Sequence, residues 1–360
     1  MKDRRLQALN RSTESPLNML CWEGYDAEPI TSRFKQEFAL QLNVETLLSD
    51  AAIADDLLAG GHSDCDILNI NNAYIRDCLE PAGRIHTLDT ELNERYRSAI
   101  HPFYNSFLPW SYNASNDLIG IGQRYGPFNL VINTDAISHT SAEDQGFHLA
   151  DDAVFKNRYG ILDYPDFNLF HICIGAGLNP FEPLSSDEME RFKRTAARWL
   201  QHALMLEADH HRLNRALLSG DIDFYISGGI YTVSPARLEG HSNLLAVTPS
   251  NGPIDGKGGI AFSEITSLLK SAQSHPQAES FLRFMLEPET AIAIAFVDGT
   301  CNPVAQMGDP RVFHAFSLQQ LDAIQWDTLD SQLQNCADYR IPPSRHTLLP
   351  TLEHLKSRYR

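Results

Sequence analysis

His275-Pro-Gln-Ala-Glu-Ser-Phe-Leu-Arg-Phe-Met-Leu-Glu-Pro-Glu-Thr-Ala291, running on to Gly299-Thr-Cys-Asn-Pro-Val304, carries the most informative local pattern in the chain. Pro276 suits a first helical turn, where its missing N–H costs nothing. Ala278, Phe281, Leu282, Met285 and Leu286 recur at helical spacing and make one apolar stripe. Pro288 breaks that helix. A second stripe (Ala291, Ile292, Ala295, Phe296) follows before Gly299 ends it. The segment therefore reads as two short buried helices hinged at a proline, with an extended Asn-Pro exit.

Upstream, the pattern alternates. Asn18–Trp22, Gln41–Glu45 and Cys65–Ile70 read as strands, separated by helical spacing over Ile30–Phe38 and Ala51–Leu58, the latter closed by Gly60-Gly61. A helix around Ala73–Leu79 follows. This β-α-β-α-β order is that of a parallel sheet covered by helices. Leu118–Gln123 and Asn129–Asn133 read as two strands flanking Tyr125-Gly126-Pro127, and Tyr159–Leu162 as another. Phe167–Ile174 reads as a helix. Ser185 with Glu188 forms a capping box for a long amphipathic helix carrying Met189, Phe192, Ala196, Trp199, Leu200 and Ala203. Arg212–Leu218 is a helix closed by Gly220, Asp221–Ile226 a strand, and Thr347–Arg360 an amphipathic C-terminal helix.

The 360 residues suffice for two domains with cores of their own. Hydrophobic residues are 43% and charged residues 21%, an ordinary globular mixture. A formal net charge of −17 disfavours nucleic acid and anionic membranes as partners. No run approaches the roughly 18 apolar residues of a membrane span. Residues 1–16 read as a loosely attached polar lead-in without the apolar core of a signal peptide, so an export signal removed before Met1, or a cytosolic protein, are both open readings. The six cysteines are scattered without a CxxC. Reduced buried thiols are the favoured reading, with a Cys65–Cys78 bridge as the alternative.

Trp22-Glu23-Gly24-Tyr25 closes the first strand, where ligands of open α/β sheets bind. An indole and a phenol beside a carboxylate suit a cationic, partly apolar solute. A core tryptophan beside a surface glutamate is the plainer reading from spacing alone. The motif resembles the Trp-x-x-Tyr of polyamine-type bacterial solute-binding proteins, the capture subunits of ABC importers. Further stretches resemble that family in the same order: Asp66–Tyr74, Tyr125–Asn133, Leu217–Asp223, Gly258–Glu264 and the opening segment, together spanning most of residues 17–305.

The resemblance implies a two-lobe, type II periplasmic-binding-protein-like α/β fold. Each lobe is a mixed, mainly parallel sheet covered by helices, with the ligand in the interlobe cleft and hinge closure around it. Lobe one would comprise 17–122 plus 262–305, and lobe two 123–261 plus 306–360. The expected function is solute capture, without catalytic residues, metal or cofactor, by a monomer that delivers a small amine or amino-acid-like ligand to an ABC permease. The compartment implied is the periplasm, with the cytoplasm as alternative.

Carried over position by position, Trp22, Tyr25 and Phe262 form the aromatic wall, Glu264 and Glu23 pair with ammonium groups, Asn71, Asn72 and Tyr74 lie on a polar turn, and Tyr125 replaces a crossover tryptophan. Asn168 stands near an expected acid and Thr300 replaces a tyrosine. Gly24 stands where polyamine binders have a glutamate, and Gly228 or Gly229 near an expected tryptophan. A long polyamine wants a carboxylate at each end, so a shorter amine, an amino acid or an opine-like conjugate fits this set better. Arg340 and Arg345 read as surface arginines, with a carboxylate clamp as the alternative.

Asp209-His210-His211 is the densest histidine cluster. Adjacent helical residues point about 100° apart, so a solvated helix end is expected there. Gly252–Gly259 reads as a turn. The competing functional reading is a thiaminase-like transferase on the same fold, with Cys21 as nucleophile and Glu264 as its base.

Overall fold

The structure is a computed structural model and describes residues 15–47, 49–271, 275–297 and 299–359. The lead-in expected over 1–16 therefore lies outside the described residues except for its last two. The chain divides into two compact units. The first comprises residues up to 125 with 263–298 and 304–315; the second comprises 126–262, 299–303 and 316 onward. Residues 304–315 thus group with the first unit, whereas the expected boundary fell at 305.

The strands, in chain order, are β1 (Leu17–Cys21), β2 (Leu42–Thr46), β3 (Ile67–Asn71), β4 (Ile121–Asn133), β5 (Tyr159–Leu162), β6 (Met205–Glu207), β7 (Phe224–Gly229), β8 (Leu244–Val247), β9 (Gly259–Leu268) and β10 (Cys336–Asp338). β4 carries the chain from the first unit into the second, and β9 carries it back.

In the first unit β1 lies between β2 and β3, all parallel, and β9 runs antiparallel to β3 with Asn71 opposite Glu264. The connections are helices. Glu28–Phe38 follows β1, and Asp50–Ala59 follows β2, capped by the Ser49 side chain and ended by Gly60 in the left-handed region (φ +93°). The proline-hinged pair forms as read: Ala278–Met285 and Pro288–Ala295 are helices, with Glu287 extended between them. Phe34 meets Phe281 and Phe284 edge-on at 5.2 and 5.3 Å. Phe34, Phe281, Leu282, Phe284 and Met285 are all sealed from solvent. Burial of each such side chain contributes about 1.5–3 kcal/mol, which fixes the pair as scaffold. After β3 the chain winds as a wide helix, Tyr74–Leu79, with the Glu80 amide donating to Ile75 O at 2.9 Å. Such i→i+5 turns are rare.

In the second unit β4 pairs antiparallel with β7 and β8, while β5 pairs parallel with both β6 and β7. β10 pairs parallel with the first residues of β9. Pro165–Gly175 is buried nearly all round, and Ser186–His202 carries the expected capping box at Ser185 and Glu188. The C-terminal helix Arg345–Tyr359 is fastened through Lys356, 1% exposed, whose ammonium donates to Asp163 at 2.5 Å and Glu353 at 2.9 Å. Residues 121–133, expected as two strands, form one: Arg124 pairs with Val304 before Gly126-Pro127, and Phe128 with Gly229 after it, so the ladder continues on both sides. Among the described residues no helix is long and apolar enough to cross a membrane. None of the six cysteines is in a disulfide, so Cys65 and Cys78 are not bridged.

Candidate functional site

In the first unit the turn after β1 projects the residues that the sequence singles out. Gly24 holds φ +96°, and a Cβ there would lie 2.7 Å from Val297 Cγ2 and 3.2 Å from Arg124 Nη1. A side chain there is strained by the backbone and crowded by both neighbours, so the position where polyamine binders carry a glutamate disfavours one here. Its amide donates to Asp26 Oδ1 at 3.1 Å. Trp22 is half-buried, Glu23 exposed and Tyr25 fully buried.

The Tyr25 hydroxyl donates to Glu264 Oε2 at 2.7 Å. Arg124, on β4, closes on the same carboxylate from two nitrogens, Nε to Oε2 at 2.8 Å and Nη2 to Oε1 at 3.1 Å. Its Nη2 also donates to Glu23 O at 2.8 Å, and the guanidinium lies 4.8 Å from the Tyr25 ring centroid. The side chains of Arg124 and Glu264 are 4% and 9% exposed. Both oxygens of Glu264, expected to pair with a ligand ammonium, are therefore engaged by the protein itself. The structure gives this carboxylate an internal partner that the expectation did not include.

Asn71, opposite Glu264, donates from Nδ2 to Asp50 Oδ2 at 2.6 Å, and its amide reaches Asp50 Oδ1 at 3.2 Å. Trp22 donates its indole N–H to the same Oδ1 at 2.9 Å. Asp50 thus pins Trp22 and Asn71 together from the first turn of its helix. Asn72, Tyr74 and Tyr125 are buried. Tyr125 packs edge-on to Tyr104 at 5.1 Å, and Tyr104 shares a 2.6 Å hydrogen bond with Ser263. Arg76, in the wide helical turn, lies 3.5 Å from the Trp110 ring centroid. Cys21 is buried, and desolvation, followed by the charge of Asp26, pushes its thiol far above the ordinary range. A thiol held neutral in this way is a poor nucleophile, which removes the chemistry of the transferase reading.

The second unit holds the other expected residues. Phe262 is half-buried, with its ring centroid 6.0 Å from that of Phe128 and 6.3 Å from that of Phe167. Asn168 is turned inward: its Nδ2 donates to Leu162 O at 2.7 Å and Ser227 Oγ at 2.8 Å. His171 Nδ1 also meets Ser227 Oγ at 2.8 Å, and burial lowers this histidine to about 3. Asn168 therefore belongs to a core network rather than to an exposed polar wall. Thr300 is buried and accepts from Asn302 Nδ2 at 3.0 Å. A Cβ on Gly228 would meet Tyr225 at 2.1 Å, and one on Gly229 would meet Pro127 O at 2.4 Å, so the expected tryptophan has no room at either position. Arg340 is exposed but Arg345 is buried. Residues 252–257 form a tight turn, with Gly252 bridged to Gly256 and Ile254 to Lys257, and Gly259 already opens β9.

The Asp209 cluster departs from its expectation. The donor atoms of Asp209, His210 and His211 lie within 4.8 Å of one another. The angular argument does not apply, because Asp209 is the cap rather than a helical residue and the two rings lean together, with centroids 4.2 Å apart.

Sequence reading missed Arg124 and Asp50. Arg124 carried a usable signal: a charged residue inside the strand Ile121–Asn133, buried almost throughout, demands a buried partner. Asp50 carried none, since an acid in a first helical turn is ordinary.

Two α/β units assembled from discontinuous stretches of chain, with aromatic and carboxylate groups after the first strand, define the class of two-lobe binding proteins. The chain belongs to the bacterial extracellular solute-binding protein family, whose model matches residues 30–315. That family captures solutes rather than transforming them. A search of curated proteins gives no match.

Solved structures share the fold. The spermidine/putrescine ABC transporter substrate-binding protein PotD of Streptococcus pneumoniae is 16% identical, with a TM-score of 0.66 over 96% of this chain and 100% of that one. The Tp0655 (TpPotD) lipoprotein of Treponema pallidum is 11% identical, with a TM-score of 0.70 over 96% and 99%. The binding protein MotA of A. tumefaciens B6, in complex with glucopine, is 12% identical, with a TM-score of 0.63 over 95% and 99%.

Proposed function

We propose that this chain is the solute-capturing subunit of an ABC importer, acting as a periplasmic monomer, and that its ligand is a small nitrogen compound carrying its own carboxylate: an amino acid or an opine-like conjugate rather than a bare polyamine. One observation carries the ligand class. Glu264, the carboxylate expected to hold an ammonium group, is already paired with the Arg124 guanidinium and hydrogen-bonded by the Tyr25 hydroxyl. A buried ammonium needs an unengaged carboxylate, and the glycine at position 24 supplies none. A zwitterion brings its own counter-charge and makes less demand on protein acids. The complex of MotA with glucopine supports the reading by analogy of fold. In the first unit the contacts assigned to the ligand are stacking on Trp22 and an exposed charge partner in Glu23, with the polar turn at Asn71, Asn72 and Tyr74 as supporting structure; in the second unit Phe262 offers a half-buried ring.

A thermal-shift screen of the purified chain against putrescine, spermidine, amino acids and opines tests this. Ligand at a hundred times its Kd stabilises by about 2.7 kcal/mol, a clear shift. The expected result is a shift with a carboxylate-bearing compound and none with putrescine or spermidine at equal concentration. A spermidine shift that exceeds every carboxylate-bearing compound overturns the ligand class. No shift with any nitrogen compound overturns the proposed solute class.

A further inference from the structure

We propose that Asp209, His210 and His211, at the start of the helix His210–Ser219, form a binding site for a divalent transition metal of the zinc, nickel or copper class. The helix lies within the second unit, and the site is independent of the solute reading. The donor set is two imidazoles and one carboxylate, a combination that suits borderline ions rather than calcium or magnesium. The geometry is close to ready. All three donor atoms lie within 4.8 Å of one another. A metal bonded at about 2.0–2.2 Å to each donor needs them roughly 3–4 Å apart, so about 1 Å of closure is required.

The parts are held unequally, and the difference matters. His210 is 8% exposed and packs 5.3 Å from the Tyr231 ring, so its imidazole is fixed. Asp209 is held by its cap, with Oδ1 accepting from the His211 amide at 2.8 Å. His211 is exposed and can swing, giving the ion both its entry path and the remaining closure. The two ring centroids already stand 4.2 Å apart, close enough for one ion to reach a nitrogen of each. Arg212 in the same turn is drawn off by Glu207 at 3.0 Å. The helix N-terminus opposes a cation, and the Asp209 carboxylate offsets that field at the same spot. These opposing fields and the open third ligand predict a modest, micromolar site rather than a structural one.

The test is calorimetric titration of the EDTA-stripped, full-length protein with Zn2+ and with Ni2+, for wild type, His211→Asn and Asp209→Ser. The serine retains capping ability and removes the carboxylate, and His211 is exposed, so neither substitution threatens folding. The expected result is one equivalent bound with a Kd in the micromolar range, weakened at least tenfold by each substitution. Wild type that binds neither ion below 100 µM overturns the proposal. So does wild-type affinity retained in both variants, which would assign the metal to other histidines among the 14.

Discussion

Replacing Arg124 with methionine removes the guanidinium from Glu264 while keeping much of the side-chain volume. The variant loses the 2.8 and 3.1 Å bonds to the carboxylate and the 2.8 Å bond to Glu23 O, and keeps the bond from the Tyr25 hydroxyl to Glu264. The Arg124 and Glu264 side chains are 4% and 9% exposed, so solvent does little to screen what is left. Breaking a buried pair by removing one partner costs about 3–5 kcal/mol, whereas replacing both by apolar groups is often neutral. The double variant Arg124→Met/Glu264→Leu should therefore lie within about 1–2 kcal/mol of wild type, and a coupling of at least about 2 kcal/mol should separate it from the sum of the single variants. Urea unfolding followed by circular dichroism reads this. With a slope of about 2–3 kcal/mol/M for one unit, the single variant's midpoint should fall by roughly 1–2 M. A single variant that loses less than about 1 kcal/mol, or a double variant that loses the full sum of the singles, refutes the view that this pair is a mutually neutralising buried unit.

Gly24→Ala meets both a left-handed backbone and the 2.7 Å approach of Val297, and should lower stability by about 1–3 kcal/mol by thermal or urea melts. A neutral result would show that the turn can relax and that the glycine is not required. Asp166 is buried, and desolvation raises its carboxyl from 3.8 to about 6 against the lowering influence of Tyr339, Arg345 and Lys356. The folded state binds this proton more tightly than the unfolded state, so the group is a burden above pH 6 that is relieved as pH falls from about 6 towards 3.8. Asp166→Asn should be more stable than wild type by up to about 3 kcal/mol at pH 7.5, and the advantage should vanish near pH 4. Urea midpoints of the two proteins compared across that range check it, and a difference that does not change with pH contradicts it. His171, lowered to about 3, acts in the opposite sense and withdraws stability as pH falls below 6.5, but it is common to both proteins and cancels. Cys21, buried and held protonated, should resist iodoacetamide in the folded chain at pH 8 and react on unfolding. Rapid alkylation of the native thiol would reopen a nucleophilic role.

The parts of the fold that depend on local periodicity were legible in the chain. The stripe Phe281, Leu282, Met285 and the Ser185–Glu188 box each state a helix through their own spacing, and both helices formed. Gly126-Pro127 misled because those residues have turn propensity, while ladder partners on either side hold the strand through them. The site was legible only in part. Trp22 and Tyr25 stand out beside the end of a strand. The partner that defines the chemistry of Glu264 is Arg124, 140 residues away, and no local pattern joins them. Helical angle alone does not place the rings of His210 and His211 either, because the chain enters this helix through the Asp209 cap and the rings lean together.

The ligand class is decided by isothermal titration of wild-type protein with spermidine and, in parallel, with an opine or amino acid selected by thermal shift. The carboxylate-bearing ligand is expected to bind at least a hundredfold more tightly than spermidine, by about 2.7 kcal/mol. Sub-micromolar spermidine binding that is abolished by Glu264→Gln would contradict it, by showing that Glu264 is released from Arg124 to hold an ammonium group after all.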